Sequence, residues 1–497
     1  MTLAASSTAR RAQAPLIDGV TPAARRALLV AGVTAAGLLG MAAAHVGPGP
    51  TMMLVVGAGV LVAASSSSYA ALAILIVLLP LPLRSFSLPP FQINQIDIVY
   101  ASALIGLALR VLVNKERFAV GSLGLAALAF LASGSLSALV GVLNGAGLQG
   151  ALSHFRGIFG YALIPLLFLS LGGEQASRRR ALLLLLCGVG ALTAARGVLS
   201  WAQLNGLVEL GGVLHRLASP DSTEAVGAVP ALAGDFGYVR AWAGNLEGNT
   251  LGAFVILIAP VAVAFALRAE RGLARLAFGA GALLLVMALI VSYSRGAYLG
   301  LSAAALPALL VLWQRRPVLA VAVALGGVIL VGFLVTQLPG ADDRLVTVYA
   351  LREDPTVQHR QLVYEHVVDA IALSPAWGTG LGTDVPGVGT GADSLYLFVL
   401  LRGGLLMAAA TFALIVVAGR RVLGALRAGN VGGLDLAVAA ALWGFAVHSA
   451  FDYSLWNPKV ALTAWLLAGA LLAAALEGRA RETRVPAAEP GSVVRSW

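Results

Sequence analysis

The sequence predicts an all-α polytopic membrane protein with about 12–14 transmembrane helices, and three observations carry that prediction. Of 497 residues, 59% are hydrophobic and 11% charged, with a mean hydropathy of +0.89. A soluble domain carries about 25% charged side chains, so 33 basic and 23 acidic residues cannot coat a globule of this size. The apolar residues also come in continuous runs, which excludes the alternating pattern of an outer-membrane barrel. Finally, most arginines punctuate those runs, so the net charge of +10 does not signal a nucleic-acid partner.

A span needs about 20 apolar residues. In chain order the spans fall at 26–46, 96–113, 119–143, 155–172, 181–200, 248–267, 276–292, 297–313, 318–336, 392–418, 432–450 and 456–476. The stretch 51–82 holds two apolar pieces split by Ser65 to Ser68. It reads as two short helices or as a hairpin that does not fully cross. Residues 1–25 lack the apolar core of a signal peptide and form a cytoplasmic tail, with 26–46 retained as an anchor. Residues 26–477 form one transmembrane domain, and 478–497 a second cytoplasmic tail.

Short basic loops stay cytoplasmic. One side collects Arg10, Arg11, Arg25, Arg26, the triplet Arg178 to Arg180, Arg420, Arg421 and most of the other basic residues, so both termini are placed in the cytoplasm. Two segments on the outward side, 201–247 and 337–391, are polar, glycine-rich and too long for simple connectors. Function is expected on that face.

The chain contains no P-loop, no dinucleotide fingerprint, no Cys or His pair at zinc-ligand spacing and no nucleophile elbow, so neither a metal site nor a cofactor is expected. What remains is arginine in expensive places, which usually marks a polar cavity. Arg295 sits in the short outward turn Tyr293-Ser294-Arg295-Gly296-Ala297, where snorkelling is the bland alternative. Arg240 precedes a polar stretch containing Asn245 and Asn249 that runs into a helix start. Free N–H groups and the dipole there suit an anion, although Asn249 reads equally well as an N-cap. His359-Arg360-Gln361 opens an amphipathic stretch, 361–373, and Asp393 lies at the mouth of the next apolar helix. Asp393 reads as a cap or as a general base. His154 and Arg156 in an outward loop could touch donor phosphate or act as interfacial anchors. Asp452, Tyr453, Trp456 and Lys459 could line a cavity or form an aromatic belt. His448 and Cys187 receive no role.

These pieces, in this order, resemble the O-antigen ligase and polymerase family of membrane glycosyltransferases (Wzy/WaaL type) over about residues 235–475. Arg240 with Gly244 and Gly248-Asn249-Thr250-Leu251-Gly252-Ala253 is similar to the family's Arg…Gly…Pro-Asn-x-x-Gly-Ala segment, with Gly248 where proline is common. Ser294-Arg295-Gly296-Ala297 resembles its Ser-Arg-Gly-Ala turn, and Arg360 with Pro375 to Gly380 its Arg…Pro-x-x-Gly-x-Gly segment. Gly391 to Leu405 resembles the segment that opens with His-Asn-x-x-Leu and closes with Glu-x-Gly-x-x-Gly. Here Asp393-Ser394 replaces the histidine start, and Arg402 stands at the usual acidic position.

The resemblance implies a GT-C-like helical fold in the cytoplasmic (inner) membrane, with the active site facing outward. It implies an undecaprenyl-diphosphate-linked glycan donor, a glycan or lipid acceptor, and metal-independent inverting transfer in O-antigen, exopolysaccharide or capsule biosynthesis. Membrane lipid, a chain-length regulator and a flippase are the implied partners. An aspartate in place of histidine fits chain polymerisation better than ligation to a lipid. Arg240 and Arg295 are the expected catalytic arginines, Asp393 the acceptor-activating base, and Arg360, Asn249, Asn245 and Arg156 the expected substrate-binding residues. A transporter or flippase of lipid-linked glycan, the competing class, would spread polar residues through the helices and both faces, whereas the long polar segments lie on one side.

Overall fold

The structure, a computed structural model, describes residues 57–482 except 66, 82–84, 89–90, 115–120, 172–174, 210, 212–239, 244–245, 319–320, 322–324, 326–331, 333–354, 390–391 and 428–431. The expected tail 1–25 and span 26–46, most of 318–336 and of the tail 478–497, Asn245 and much of both long segments lie outside the described residues.

Helical residues 57–65 (α1) lead to α2 (Ser68–Leu78) and a short antiparallel hairpin, β1 (Ser85–Leu88) and β2 (Phe91–Asn94), with Ser85 opposite Asn94. Then come α3 (Gln95–Asn114), α4 (Gly121–Leu143), α5 (Leu148–Phe159), α6 (Ile164–Leu169) and α7 (Gln175–Leu204). The second half contains α8 (Gly248–Arg268), α9 (Gly272–Ile290), α10 (Arg295–Arg315), α11 (Pro355–Leu373), α12 (Leu395–Arg427) and α13 (Gly433–His448). A 3₁₀ turn, Ser454–Trp456, precedes α14 (Pro458–Glu482). Among the described residues, 7 helices are long and apolar enough to cross a membrane: α3, α4, α7, α8, α9, α12 and α14. The fold is thus all-α apart from the hairpin.

One sequence alternative is narrowed and one expectation changes. The stretch 51–82 contains two short helices, because Ser67 caps α2 by accepting a hydrogen bond from the Ala70 N–H. The expected span 155–172 is not continuous; it breaks between α5 and α6. Pro165, in the first turn of α6, has no N–H and its ring would clash with the carbonyl four residues back in a continuous helix. Three-residue turns bridge the break, with Ile164 N donating to Tyr161 O at 3.1 Å.

The buried core has two parts. One gathers α2, α3, α6 to α10, α13 and α14 around α8, where Leu251 and Ala253 to Ile258 are 0% exposed. A helix apolar and buried all round belongs at the centre of a membrane bundle, whereas the exposed Leu273 and Leu276 of α9 face outward as lipid-contacting residues would. The second part joins α4, α5, α11 and α12 through Phe130, Phe159, Val367, Phe398 and Met407. Trp465 of α14 packs against both.

Small residues let α8, α10 and α13 approach closely. A Cβ added at Gly300 of α10 would lie 2.8 Å from the Gly444 carbonyl of α13 and 2.7 Å from Ile256 of α8. One added at Gly252 of α8 would lie 2.5 Å from the Ala297 Cβ. Gly248 and Gly252, like Gly296 and Gly300, are four apart, the spacing by which membrane helices bring backbones together. Toward the opposite end of α13 and α14 from the Ser454–Trp456 turn, Arg179 of α7 is buried between Asp435 (3.5 Å) and Glu477 (3.6 Å). That arginine, read from sequence as an orientation signal, also fastens three helices. Gly300→Ala should destabilise the bundle by about 1–3 kcal/mol through overpacking against backbone; thermal melting in detergent tests this, and an unchanged midpoint would contradict the close contact.

Candidate active site

The two core parts meet at a polar cavity of about 680 Å³, within the range of small-molecule sites. Its walls come from β2, α5, α8, α11, the segment before α12 and the turn before α14.

Arg156, near the C-terminal end of α5, reaches the cavity, and Asp97 of α3 lies 3.3 Å from its Nη1. Asp97 is itself fixed. The Tyr161 hydroxyl donates to it at 2.8 Å, and Asn94 and Asp97 form reciprocal bonds of 2.9 and 3.0 Å across the start of α3. This is a capping box, and Asn94 also lines the cavity. The spacing Asn94-Gln95-Ile96-Asp97 before an apolar run was the available signal for this residue pair, which sequence reasoning missed.

Arg240 donates from Nε to the Ser292 carbonyl at 2.9 Å and from Nη2 to the Asn249 side chain at 2.6 Å. It thereby ties the strand-like 240–243 segment to the starts of α8 and of the 291–294 turn. Asn249 lines the cavity, but it is not a cap: α8 begins at Gly248, with Glu247 in the N-cap position. Its carboxamide is turned to the guanidinium instead.

Arg360 of α11 and Asp393 both line the cavity, with Arg360 Nε 3.5 Å from Asp393 Oδ2. Asp393 does not cap α12, which begins at Leu395; its carboxylate turns to Arg360. Arg360 also lines a neighbouring groove of about 780 Å³, with Arg295, Leu299, Tyr364, Val368 and Phe451. Arg295 is the first residue of α10 and belongs to this mainly apolar groove; the described lining of the polar cavity does not include it.

The cavity therefore joins Arg156, Asn249, Arg360 and Asp393, with Arg240 bonded to Asn249 at its edge and Arg295 across Arg360 in the groove. Asn245 lies outside the described residues. Trp242, Glu247 and His359 line it as well. So do Asp452, Tyr453 and Trp456, the aromatic cluster that sequence alone could not separate from a membrane-interface belt. Burial pushes the Tyr453 phenol well above its usual pKa, with Arg402 opposing that shift, so the hydroxyl stays protonated at neutral pH. His448, which composition gave no role, is fully buried behind this wall. Its Nε2 lies 3.2 Å from Ser454 Oγ and 3.8 Å from Asp452 Oδ1, and Ser454 donates to Asp452. Lys459, weighed alongside them, is buried in α14 and does not line the cavity.

Cationic forks facing a polar space, with a carboxylate beside them, can hold a multiply charged anion and accept a proton. Asp97→Ala, which removes the carboxylate shared by Tyr161 and Arg156, should cost about 1–3 kcal/mol of stability. Thermal melting checks it, and Asp97→Asn should recover part of the loss.

No curated protein gives a match to the chain. Residues 280–412 match the family model described as O-antigen ligase, a stretch running from α9 through Arg295, Arg360 and Asp393 into α12. Over that stretch the chain is similar to the O-antigen ligase family, a similarity that suggests glycan ligase or polymerase-type activity in general.

Proposed function

We propose that the protein is a glycosyltransferase that polymerises undecaprenyl-diphosphate-linked repeat units at the outward face of the cytoplasmic membrane. The observation that carries this reading is the sharing of Arg360 between a polar, arginine-bearing cavity and an apolar groove. A polyprenyl-diphosphate glycan has the same division: an apolar chain, two phosphates and a polar sugar.

The lipid chain lies along Leu299, Val368 and Phe451, and the diphosphate meets Arg295, Arg360 and Arg156. A unit charge 4 Å from another interacts by about 4 kcal/mol at an effective dielectric of about 20. A diphosphate brings more charge to Arg360 than one carboxylate does, so it displaces Asp393. The freed carboxylate takes the proton of the acceptor hydroxyl. The acceptor oxygen attacks the anomeric carbon from the face opposite the phosphate, and the sugar–phosphate bond breaks with its electron pair leaving on the diphosphate. Fixed guanidinium groups in a partly dry site stabilise that growing charge. Arg240 holds Asn249 against the cavity edge. The bond energy is already in the donor, so no nucleotide is required. A second reading, ligation of a finished glycan to a lipid acceptor, draws support from the description of the matched family as O-antigen ligase.

Reconstitution in proteoliposomes with a single-repeat undecaprenyl-diphosphate oligosaccharide tests the reading. Products growing by whole repeat units support polymerisation. Transfer only after a lipid acceptor is added supports ligation, and donor that crosses the bilayer with no bond changed would overturn both. Asp393→Asn should lower kcat by about 10²–10⁴-fold with little change in donor KM. Arg295→Ala should abolish elongation while leaving membrane insertion intact; wild-type chain lengths in that variant would remove Arg295 from the site.

A further inference from the structure

Behind the cavity wall lies a cation that the proposed chemistry does not use. Arg402 of α12 is 0% exposed and the largest fully buried side chain among the described residues. It sits two residues before the break in α12 at Gly404 (φ 59°, ψ −158°). Its Nη1 donates to Thr383 O at 2.9 Å and Thr379 Oγ1 at 3.1 Å, and its Nη2 donates to Gly389 O at 2.9 Å. The guanidinium carbon lies 5.7 Å from the centre of the Phe398 ring, and Phe398 stacks on Tyr453 with ring centres 4.1 Å apart.

The segment between α11 and α12 is held in two different ways. Its near half pairs by backbone: Thr379 N donates to Leu401 O at 2.7 Å, Gly380 N to Arg402 O at 3.0 Å and Leu381 N to Ser137 O at 2.9 Å. At Gly380 (φ 89°) a side chain would collide with the Gly141 backbone, so this docking is close. The far half, Thr383 to Gly389, bonds locally, with Val385 N to Gly389 O at 3.1 Å. Among the described residues, Arg402 provides its hydrogen bonds to a helix. That half carries Val388 into the cavity and leads on to Ala392 and Asp393. Burying a guanidinium among apolar helices is costly, and packing alone would be served by methionine or leucine. A planar fork, by contrast, can reach two carbonyls six residues apart at once.

We propose that Arg402 is a positioning residue, which sets two parts of the cavity wall from behind: the Thr383–Gly389 segment by hydrogen bonds, and Tyr453 through Phe398. It touches no substrate. Its consequence for turnover rests on the acceptor-activating role given to Asp393 above.

Arg402→Lys keeps the charge and loses the fork. Amide hydrogen exchange across Thr383–Gly389 should become about tenfold faster or more, with α8 and α10 unchanged. The kcat should fall by about tenfold or more while donor KM stays within about threefold. Thr379→Val removes the bond that Oγ1 accepts from Arg402 and the one it donates to the Leu401 carbonyl, and retains the cation. It should shift exchange and kcat in the same direction by a smaller factor, and it decides the matter if the lysine variant fails to fold. Unchanged exchange in the segment, wild-type kcat, or a donor KM that rises as far as kcat falls would each overturn the proposal. Exchange needs no substrate, so a wild-type protein that makes no glycan product sinks the functional reading while the positioning of the segment is still decided.

Discussion

The approach of α8, α10 and α13 through glycine is the contact on which the site depends. Inside a bilayer the apolar effect does not distinguish a helix from lipid, so helices associate by packing and by polar contacts. Gly252, Gly300 and Gly444 remove the side chains that would hold these three helices apart. Their junction continues toward the ends where Gly248 and Asn249 open α8, Arg295 begins α10 and His448 ends α13. The same close approach leaves room for Arg240 against Gly248 and the Ser292 carbonyl. A looser bundle would separate the arginine-bearing ends, and the cavity and groove would no longer share a wall.

Polar groups in this chain are arranged in layers around that junction. Arg156 is oriented by Asp97, Arg240 is divided between a carbonyl and Asn249, and Arg360 faces Asp393. Unpaired burial of such groups costs several times what a surface ion pair contributes, so each guanidinium is both supported and aimed. Arg402 extends the pattern one layer further in, where carbonyls and a ring replace carboxylates.

The hydropathy pattern made most of the helices legible, because a bilayer demands long apolar runs with internally satisfied backbones. It failed at 155–172, where apolar character is continuous but Pro165 breaks the hydrogen-bond ladder. It also treated Arg179 as a loop charge, because sequence spacing does not reveal that Asp435 and Glu477 converge on it. At the site, residue types were readable and partners were not. Asn249 and Asp393 both stood at helix starts, where a cap is the commonest use, yet Asn249 turns to Arg240 of the segment before its own helix and Asp393 to Arg360 of α11.

By itself the sequence determined an apolar, mainly helical chain suited to a membrane, and it singled out a small set of arginines and an aspartate as candidates for function. Those conclusions follow from local quantities: apolar run length, charge density and spacing. The tertiary structure decided which charges meet. It put Arg360 at the boundary of a polar cavity and an apolar groove, Arg295 on the groove side, and Arg402 behind the wall. Such assignments depend on packing between helices far apart in sequence, and a one-dimensional pattern of hydrophobicity carries no record of which helix faces which.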